Sequence, residues 1–196
     1  MVYKKEDLEI YQTQIQTDVG FNGFMTAVVV FFVGLLITQF NSYSLTIKIP
    51  ISFLIISTFG FLYSTLIFSN AAEEVSQHKV EKFRRHTFLG YIISEYLGVY
   101  FLILSIPLVI NVITNDLYLR IVTIIFSLAG LAIYQFLHFS ILERHFNEKY
   151  KAFAWIIFIF GLILFLSQIK NLYFVQTSIG FILFMLIVIY LAIKQR

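Results

Sequence analysis

Six long apolar stretches, separated by short polar pieces, constrain the fold of this 196-residue chain more than any other feature. A transmembrane helix needs about 20 apolar residues, and each stretch is close to that length. Only 13% of the residues are charged and 59% are hydrophobic, whereas about a quarter of a soluble domain is charged. We therefore predict an all-α, polytopic integral membrane protein that forms a single membrane domain over 1–196. Its six transmembrane helices are predicted at about 22–40, 49–69, 90–110, 119–142, 152–168 and 172–193.

The Lys and Arg residues alternate between the two sides of this predicted layout. Eleven of the fourteen fall in alternate polar pieces, which include both chain ends and the segments 70–89 and 143–151. The other pieces contain only Lys48, Arg120 and Lys170. Cytoplasmic loops retain Lys and Arg, so we expect a multi-pass protein of the cell membrane with both termini in the cytoplasm.

Two polar segments are predicted to be helical on the cytoplasmic side. Residues 1–20 carry an apolar stripe at Leu8, Tyr11, Ile15 and Val19, whose spacing is that of one helix face. We expect this amphipathic segment to lie against its own helix bundle or against a partner subunit. Residues 70–89 contain no Gly or Pro, and we expect a helical extension of the second span that turns near Gly90.

Glu95 is the only acidic residue that this layout places inside a span. An ionised carboxylate in lipid is costly, so Glu95 should face protein or water and have a partner. The basic candidates on the same side are Arg84, Arg85, His138 and Arg144. The alternative is an interfacial glutamate that reaches the lipid headgroups.

A polar stripe on the fourth span is the second candidate feature. Thr123, Ser127, Tyr134, His138 and His145 keep one helical face. We expect a polar vestibule on the cytoplasmic side, and its candidate residues are Glu95, Ser127, Tyr134, His138, Arg144 and His145. Ordinary hydrogen bonds between helices would explain the same stripe.

Small residues recur one turn apart in three spans. The sets are Gly23 with Ala27, Gly60 with Ser64, and Gly90 with Ser94 and Gly98. Such spacing lets helix backbones approach closely in lipid. It indicates close packing within the chain, or a contact between subunits.

The sequence names no catalytic residue, cofactor or metal. Glu74 and His78 lie four residues apart and are weak metal-ligand candidates, but no recognised metal motif surrounds them. The chain has no Cys, no phosphate-binding loop and no dinucleotide-binding turn. The basic balance is explained by retention of Lys and Arg on one side, so we expect no nucleic-acid partner.

Three functions remain open. The first is a channel or transporter for a small solute or ion, acting alone or as a homo-oligomer, which uses the polar vestibule. The second is a non-catalytic scaffold or accessory subunit that binds a partner membrane subunit through its cytoplasmic face. The third is a lipid-active enzyme that uses Glu95, His138 and Arg144, and it is the least favoured because nothing in the spacing sets their mutual distances. The lipid bilayer is a partner in all three.

Overall fold

The computed structural model describes residues 5–43, 45–77, 79–145 and 151–194, and these residues form helices without any strand. The α-helices are α1 Lys5–Thr38, α2 Lys48–Ser76, α3 Val80–Ile93, α4 Tyr100–Ile113, α5 Leu117–His145, α6 Lys151–Ile169 and α7 Phe174–Lys194. A π-helical turn, Ser94–Val99, joins α3 to α4 without a break. Two short 3-10 helices, Phe40–Ser42 and Leu45–Ile47, lie between α1 and α2.

Four of the described helices are long and apolar enough to cross a membrane. They are Ile10–Thr38, Lys48–Val75, Glu81–Ile113 and Phe174–Leu191. Two shorter apolar helices, Leu117–Ile133 and Trp155–Ile169, follow the third of them. The all-helical prediction is therefore confirmed for the described residues, and the pattern of apolar helices is that of a helical membrane protein.

The N-terminal amphipathic segment and the first apolar stretch form one continuous helix, α1. The predicted stripe packs inside the chain: Ile15 is 2% exposed, and Tyr11 and Val19 pack around the same cluster. The side chain of Leu8 lies outside the described residues. The cluster also contains Phe68, Ala71 and Val75 of α2 and Phe83 of α3.

The chain turns between the end of α2 at Ser76 and the start of α3 at Val80, so the predicted turn near Gly90 is wrong. Residues on both sides of this turn meet, because Val75 and Phe83 share the cluster beside Ile15. Glu74 Oε2 also lies 2.7 Å from His86 Nδ1. Gly90 is inside α3, where its missing side chain makes room for the ring of Phe68: a Cβ there would lie 2.7 Å from that ring.

The described helices group into two compact units, which we describe separately. The first contains Met1–Thr38, Leu54–Phe101 and Leu191–Arg196, and the second contains Gln39–Phe53 and Leu102–Tyr190. The first unit is therefore built mainly from α1, most of α2, α3 and the π-helical turn. The second contains most of α4 together with α5, α6 and most of α7.

In the second unit, α6 and α7 form the tight hairpin that the short connection predicts. Asn171 has φ 48°, a left-handed conformation that Asn tolerates at a helix end. The Leu172 amide donates to Ser167 O and the Asn171 amide donates to Gln168 O, which closes α6 with a Schellman motif. The rings of Phe160 and Phe184 then stack with centroids 5.2 Å apart, which holds the two helices together.

Candidate functional site

Glu95 lies in the π-helical turn, near the middle of the uninterrupted helical run Val80–Ile113. The Tyr100 amide donates to Glu95 O, the widened i to i+5 bond that defines such a turn. The π-helical turns of proteins occur often at functional sites, because the extra residue redirects side chains. The sequence places Glu95 about one turn inside the third span, and in the structure the helix continues before that span through the polar turns of α3.

The Glu95 carboxylate is buried in the first unit. Only 2% of the residue is exposed. Tyr100 Oη donates a hydrogen bond of 2.8 Å to Glu95 Oε1. The ring of Tyr96 packs edge-on against the ring of Tyr100, with centroids 5.4 Å apart, and both tyrosines are buried. A carboxylate in this position is enclosed by protein and receives a phenol donor from the same helix.

Close contact with α2 sets the position of the π-helical turn. A Cβ on Gly60 would overlap Gly98 N and would lie 2.5 Å from the carbonyl carbon of Leu97, so two backbones touch at this point. Ser57 Oγ donates to Gly98 O at 2.8 Å, and Ser57 is fully buried. Irregular helical backbone in lipid needs such outside donors, because no water is present to replace them.

A ladder of polar side chains joins α1 to α3 beside this turn. Ser94 Oγ donates to Asn22 Oδ1 at 2.6 Å, and both residues are buried. One turn earlier, Tyr91 Oη donates to Asp18 Oδ2 at 2.6 Å. Gln14 Nε2 donates to Tyr91 Oη at 3.1 Å. We call these five residues the α1–α3 ladder.

Sequence reasoning missed the α1–α3 ladder and Tyr100. The signal for the ladder was available: Gln14, Asp18 and Asn22 recur every four residues and so occupy one face of a helix. The apolar stripe beside these residues is the more conspicuous pattern, so the prediction for this segment was based on the stripe. For Glu95 the sequence indicated a basic partner, and the structure has Tyr100 within hydrogen-bond reach. Arg84 and Arg85 have exposed side chains, and the side chains of His138 and Arg144 lie outside the described residues, so a basic partner stays a prediction.

The other predicted vestibule residues lie on α5, which belongs to the second unit, whereas Glu95 belongs to the first. Ser127 is buried and donates from Oγ to Ile103 O at 3.0 Å. The side chains of Tyr134, His138, Arg144 and His145 lie outside the described residues. The vestibule that would join them to Glu95 stays a prediction.

The bond from Ser127 has a local cause in α4. Pro107 lies inside this helix and has no amide hydrogen. A residue with an amide at position 107 would donate to Ile103 O, four residues earlier, so proline leaves that carbonyl without its helical donor. Ser127 supplies a replacement from α5. Ser127, one member of the predicted polar stripe, therefore has a structural role as the replacement for the hydrogen-bond donor that Pro107 removes.

The weak metal pair of Glu74 and His78 stays a prediction. Glu74 contacts His86 across the α2–α3 turn, and His78 lies outside the described residues. Among the described residues, no three His, Asp or Glu side chains are grouped so as to hold a metal ion.

Among the described contacts, Glu95 is a buried carboxylate that accepts a hydrogen bond from a phenol. A buried carboxylate can take up a proton or bind a small cation, because either neutralises its charge. A second acidic side chain, that of Asp18, lies within the α1–α3 ladder, where it accepts a hydrogen bond from Tyr91. No protein-family model matches the chain, and it has no match among curated proteins or solved structures.

Proposed function

We propose that the chain is a small channel or transporter for a cation or proton, in which Glu95 is the carboxylate that binds the charge. The observation that carries this proposal is the burial of Glu95 within a long apolar helix, at a π-helical turn. Ionisable groups within membrane helices are costly and are usually retained for transport or for proton transfer.

The α1–α3 ladder supports the same proposal. Asp18 and Asn22 lie one turn apart on α1, and they contact Tyr91 on α3 and Ser94, the first residue of the π-helical turn. Oxygen atoms at such intervals suit the stepwise passage of a proton or of a partly dehydrated cation. Asp18 accepts from Tyr91, and Asn22 accepts from Ser94, which directly precedes Glu95 in the chain.

The membrane arrangement that we propose has six transmembrane helices, with both termini in the cytoplasm of the cell. Four long helices support it, and the two shorter ones, Leu117–Ile133 and Trp155–Ile169, would provide the remaining spans. The alternation of Lys and Arg supplies the orientation.

Flux measurements in liposomes test the transport proposal. Purified protein is reconstituted in vesicles that contain a pH-, Na⁺- or K⁺-sensitive dye, and the matching H⁺, Na⁺ or K⁺ gradient is imposed in turn. We expect the wild-type protein to dissipate at least one gradient. Glu95→Gln keeps the shape of the side chain and an oxygen for Tyr100 Oη, and should lower the flux at least about tenfold, since it removes the charge that the ion must meet. Tyr100→Phe should lower it less.

The control for this experiment is Glu74→Gln. Glu74 is also a partly buried carboxylate in the first unit, but it contacts His86 beside the α2–α3 turn. The flux through the Glu74→Gln variant should equal that through the wild-type protein. Absence of flux in the wild-type protein under all three gradients, or full flux in Glu95→Gln, would refute the proposal.

An accessory-subunit function is the second candidate, and the exposure of α1 favours it. Only 17% of the apolar window of α1 is buried, compared with 44% for α2. Among the described residues, a Cβ on Gly20, Gly23 or Gly34 would meet no atom within 4 Å, so no close packing against these small residues is seen there. A partner membrane subunit or a second copy could use this face. Crosslinking in the native membrane, followed by mass spectrometry, would show such a partner, and its absence together with measured flux would remove this candidate.

A further inference from the structure

A cavity of about 700 Å³ lies beside α3, outside the candidate site around Glu95. Its cationic lining consists of Lys82, Arg84 and Arg85, all with exposed side chains. Its apolar lining consists of Phe88 and Leu89, one turn further along α3, and Ile193 at the end of α7. All of these residues belong to the first unit.

The order of the two linings along α3 is that of a lipid interface. The first turns of α3 carry the charged side chains, and the residues from Phe88 onward are mostly apolar. A phospholipid has the same order, a charged headgroup above apolar acyl chains. Guanidinium groups bind phosphate oxygens in pairs and more strongly than neutral donors do.

We propose that this cavity binds the phosphate headgroup of an anionic phospholipid, with an acyl chain along Phe88, Leu89 and Ile193. Glu81 also lines the cavity and opposes a negative ligand. Among the described lining residues, three cations stand against one carboxylate, and this positive balance favours an anionic lipid over a zwitterionic one. The inference does not depend on whether the protein transports an ion.

Lipid-dependent thermal stability of the purified protein tests this proposal. The protein is held in a neutral maltoside detergent and titrated with dioleoyl phosphatidylglycerol, because a ligand that binds the folded state raises the melting temperature by an amount that grows with its affinity. We expect saturable stabilisation of the wild type. The double variant Arg84→Gln/Arg85→Gln should weaken the apparent affinity at least about tenfold, since charge-assisted bonds are among the strongest in such sites.

Two further variants distinguish a built site from general attraction to charge. Glu81→Gln removes the opposing carboxylate and should tighten binding. Lys79→Gln is the matched control: Lys79 precedes α3, is exposed, and does not line the cavity. It should bind phosphatidylglycerol as the wild type does. Equal weakening by Lys79→Gln and by the cavity variants would overturn the proposal.

Two other ligands identify the source of the phosphate. Glycerol 1-phosphate carries the headgroup chemistry without acyl chains, and dioleoyl phosphatidylcholine carries the chains with a zwitterionic headgroup. We expect little stabilisation by either. If glycerol 1-phosphate stabilises the protein equally well, the ligand of the cavity is a soluble phosphate compound and not a lipid. If phosphatidylcholine stabilises it equally well, the cavity binds lipids without selecting an anionic headgroup. Either result would overturn the proposal. If the double variant does not fold, Lys82→Gln in the same titration decides the matter.

Discussion

Single serine side chains donate hydrogen bonds to backbone carbonyls that irregular helical backbone leaves without a donor. Pro107 removes the amide that would serve Ile103 O, and Ser127 Oγ donates to that carbonyl at 3.0 Å from a neighbouring helix. In the same way, Ser57 Oγ donates a hydrogen bond to Gly98 O in the π-helical turn. Serine is suited to this use because its hydroxyl is small and can be buried once it has an acceptor.

The Pro107–Ser127 relation predicts a non-additive pair of mutations. Ser127→Ala should cost about 1 kcal/mol of unfolding free energy, because it leaves a buried carbonyl without a donor. In a Pro107→Ala background the same change should cost little, since the alanine amide at position 107 restores the helical donor to Ile103 O. Unfolding by SDS titration in mixed micelles, followed by circular dichroism, measures the four free energies of the double-mutant cycle.

Thr123→Ala is the control for this cycle. Thr123 Oγ1 bonds Leu119 O and Arg120 O of its own helix, and those carbonyls are within regular α5, so its loss should have a small effect in either background. An equal cost for Ser127→Ala with and without Pro107 would show that the proline is not the reason for the bond.

The residues around Glu95 also show what could and could not be predicted from the sequence. The sequence identified Glu95 and predicted that it would face protein or water, because an apolar run with one acid is conspicuous. It did not identify Tyr100, since a phenol at this spacing reaches Glu95 Oε1 only when the helix widens. A π-helical turn has no reliable sequence signature, so the partner could not be derived from helical spacing.

Among the helices, the contact between α2 and α3 is determined by glycine. Gly60 touches the backbone at Leu97 and Gly98, and Gly98 in turn makes room for Phe61, whose ring would lie 2.8 Å from a Cβ there. The sequence analysis had paired small residues with close packing, and for Gly60, Gly90 and Gly98 the structure has such contacts within the chain. Gly23 is different, because a Cβ there would meet nothing within 4 Å.

Gly60→Ala should therefore destabilise the protein more than any other glycine-to-alanine change in a described helix. The new methyl group would meet backbone atoms, which cannot rotate away, so we expect a loss of at least about 2 kcal/mol of unfolding free energy. Gly130→Ala in α5 is the matched control, because a Cβ there meets nothing within 4 Å, and it should be neutral or slightly stabilising. SDS-titration unfolding measures both, and similar costs would mean that α2 and α3 can separate without strain.

The boundaries of the helices were harder to predict than their existence. The sequence divided α1 into an amphipathic segment and a span, but no Pro interrupts Lys5–Thr38 and the helix continues. It placed the α2–α3 turn at Gly90, because Gly often ends helices. The turn comes between the end of α2 and the start of α3 without Gly or Pro, since the burial of Val75 and Phe83 in one cluster decides the position. Such long-range packing cannot be read from local propensity.

At the scale of the whole molecule, the three basic residues outside the main basic pieces have local structural uses or exposed positions. Arg120 donates from Nε to Thr114 O at 2.7 Å and from Nη2 to Asn111 O at 3.0 Å, which satisfies carbonyls at the end of α4. Lys48 Nζ lies 6.0 Å from the centre of the Phe40 ring. Lys170 is exposed at the α6–α7 connection. Because Arg120 and Lys48 have structural contacts of their own, their location outside the main basic pieces counts less against the predicted orientation.

The number of spans depends on α5 and α6, whose apolar parts are the two shorter ones. If both cross the membrane, the start of α6 lies on the cytoplasmic side. If both return without crossing, the start of α6 lies outside the cytoplasm, together with Asn41 and Lys170, and four spans remain. The sidedness of Gln77, Asn41 and Lys170 is the same in the two arrangements, so only the α5–α6 connection separates them.

Single cysteines distinguish six spans from four, because the chain has no cysteine of its own and so gives no background. Asn41→Cys and Lys170→Cys should react with a membrane-impermeant maleimide in intact cells, and Gln77→Cys should react only after the membrane is permeabilised. The deciding variant is Lys151→Cys, at the first residue of α6. With six spans it should behave like Gln77→Cys. Reaction of Lys151→Cys in intact cells would mean that α5 and α6 do not cross, and α7 alone would then return the chain to the cytoplasm.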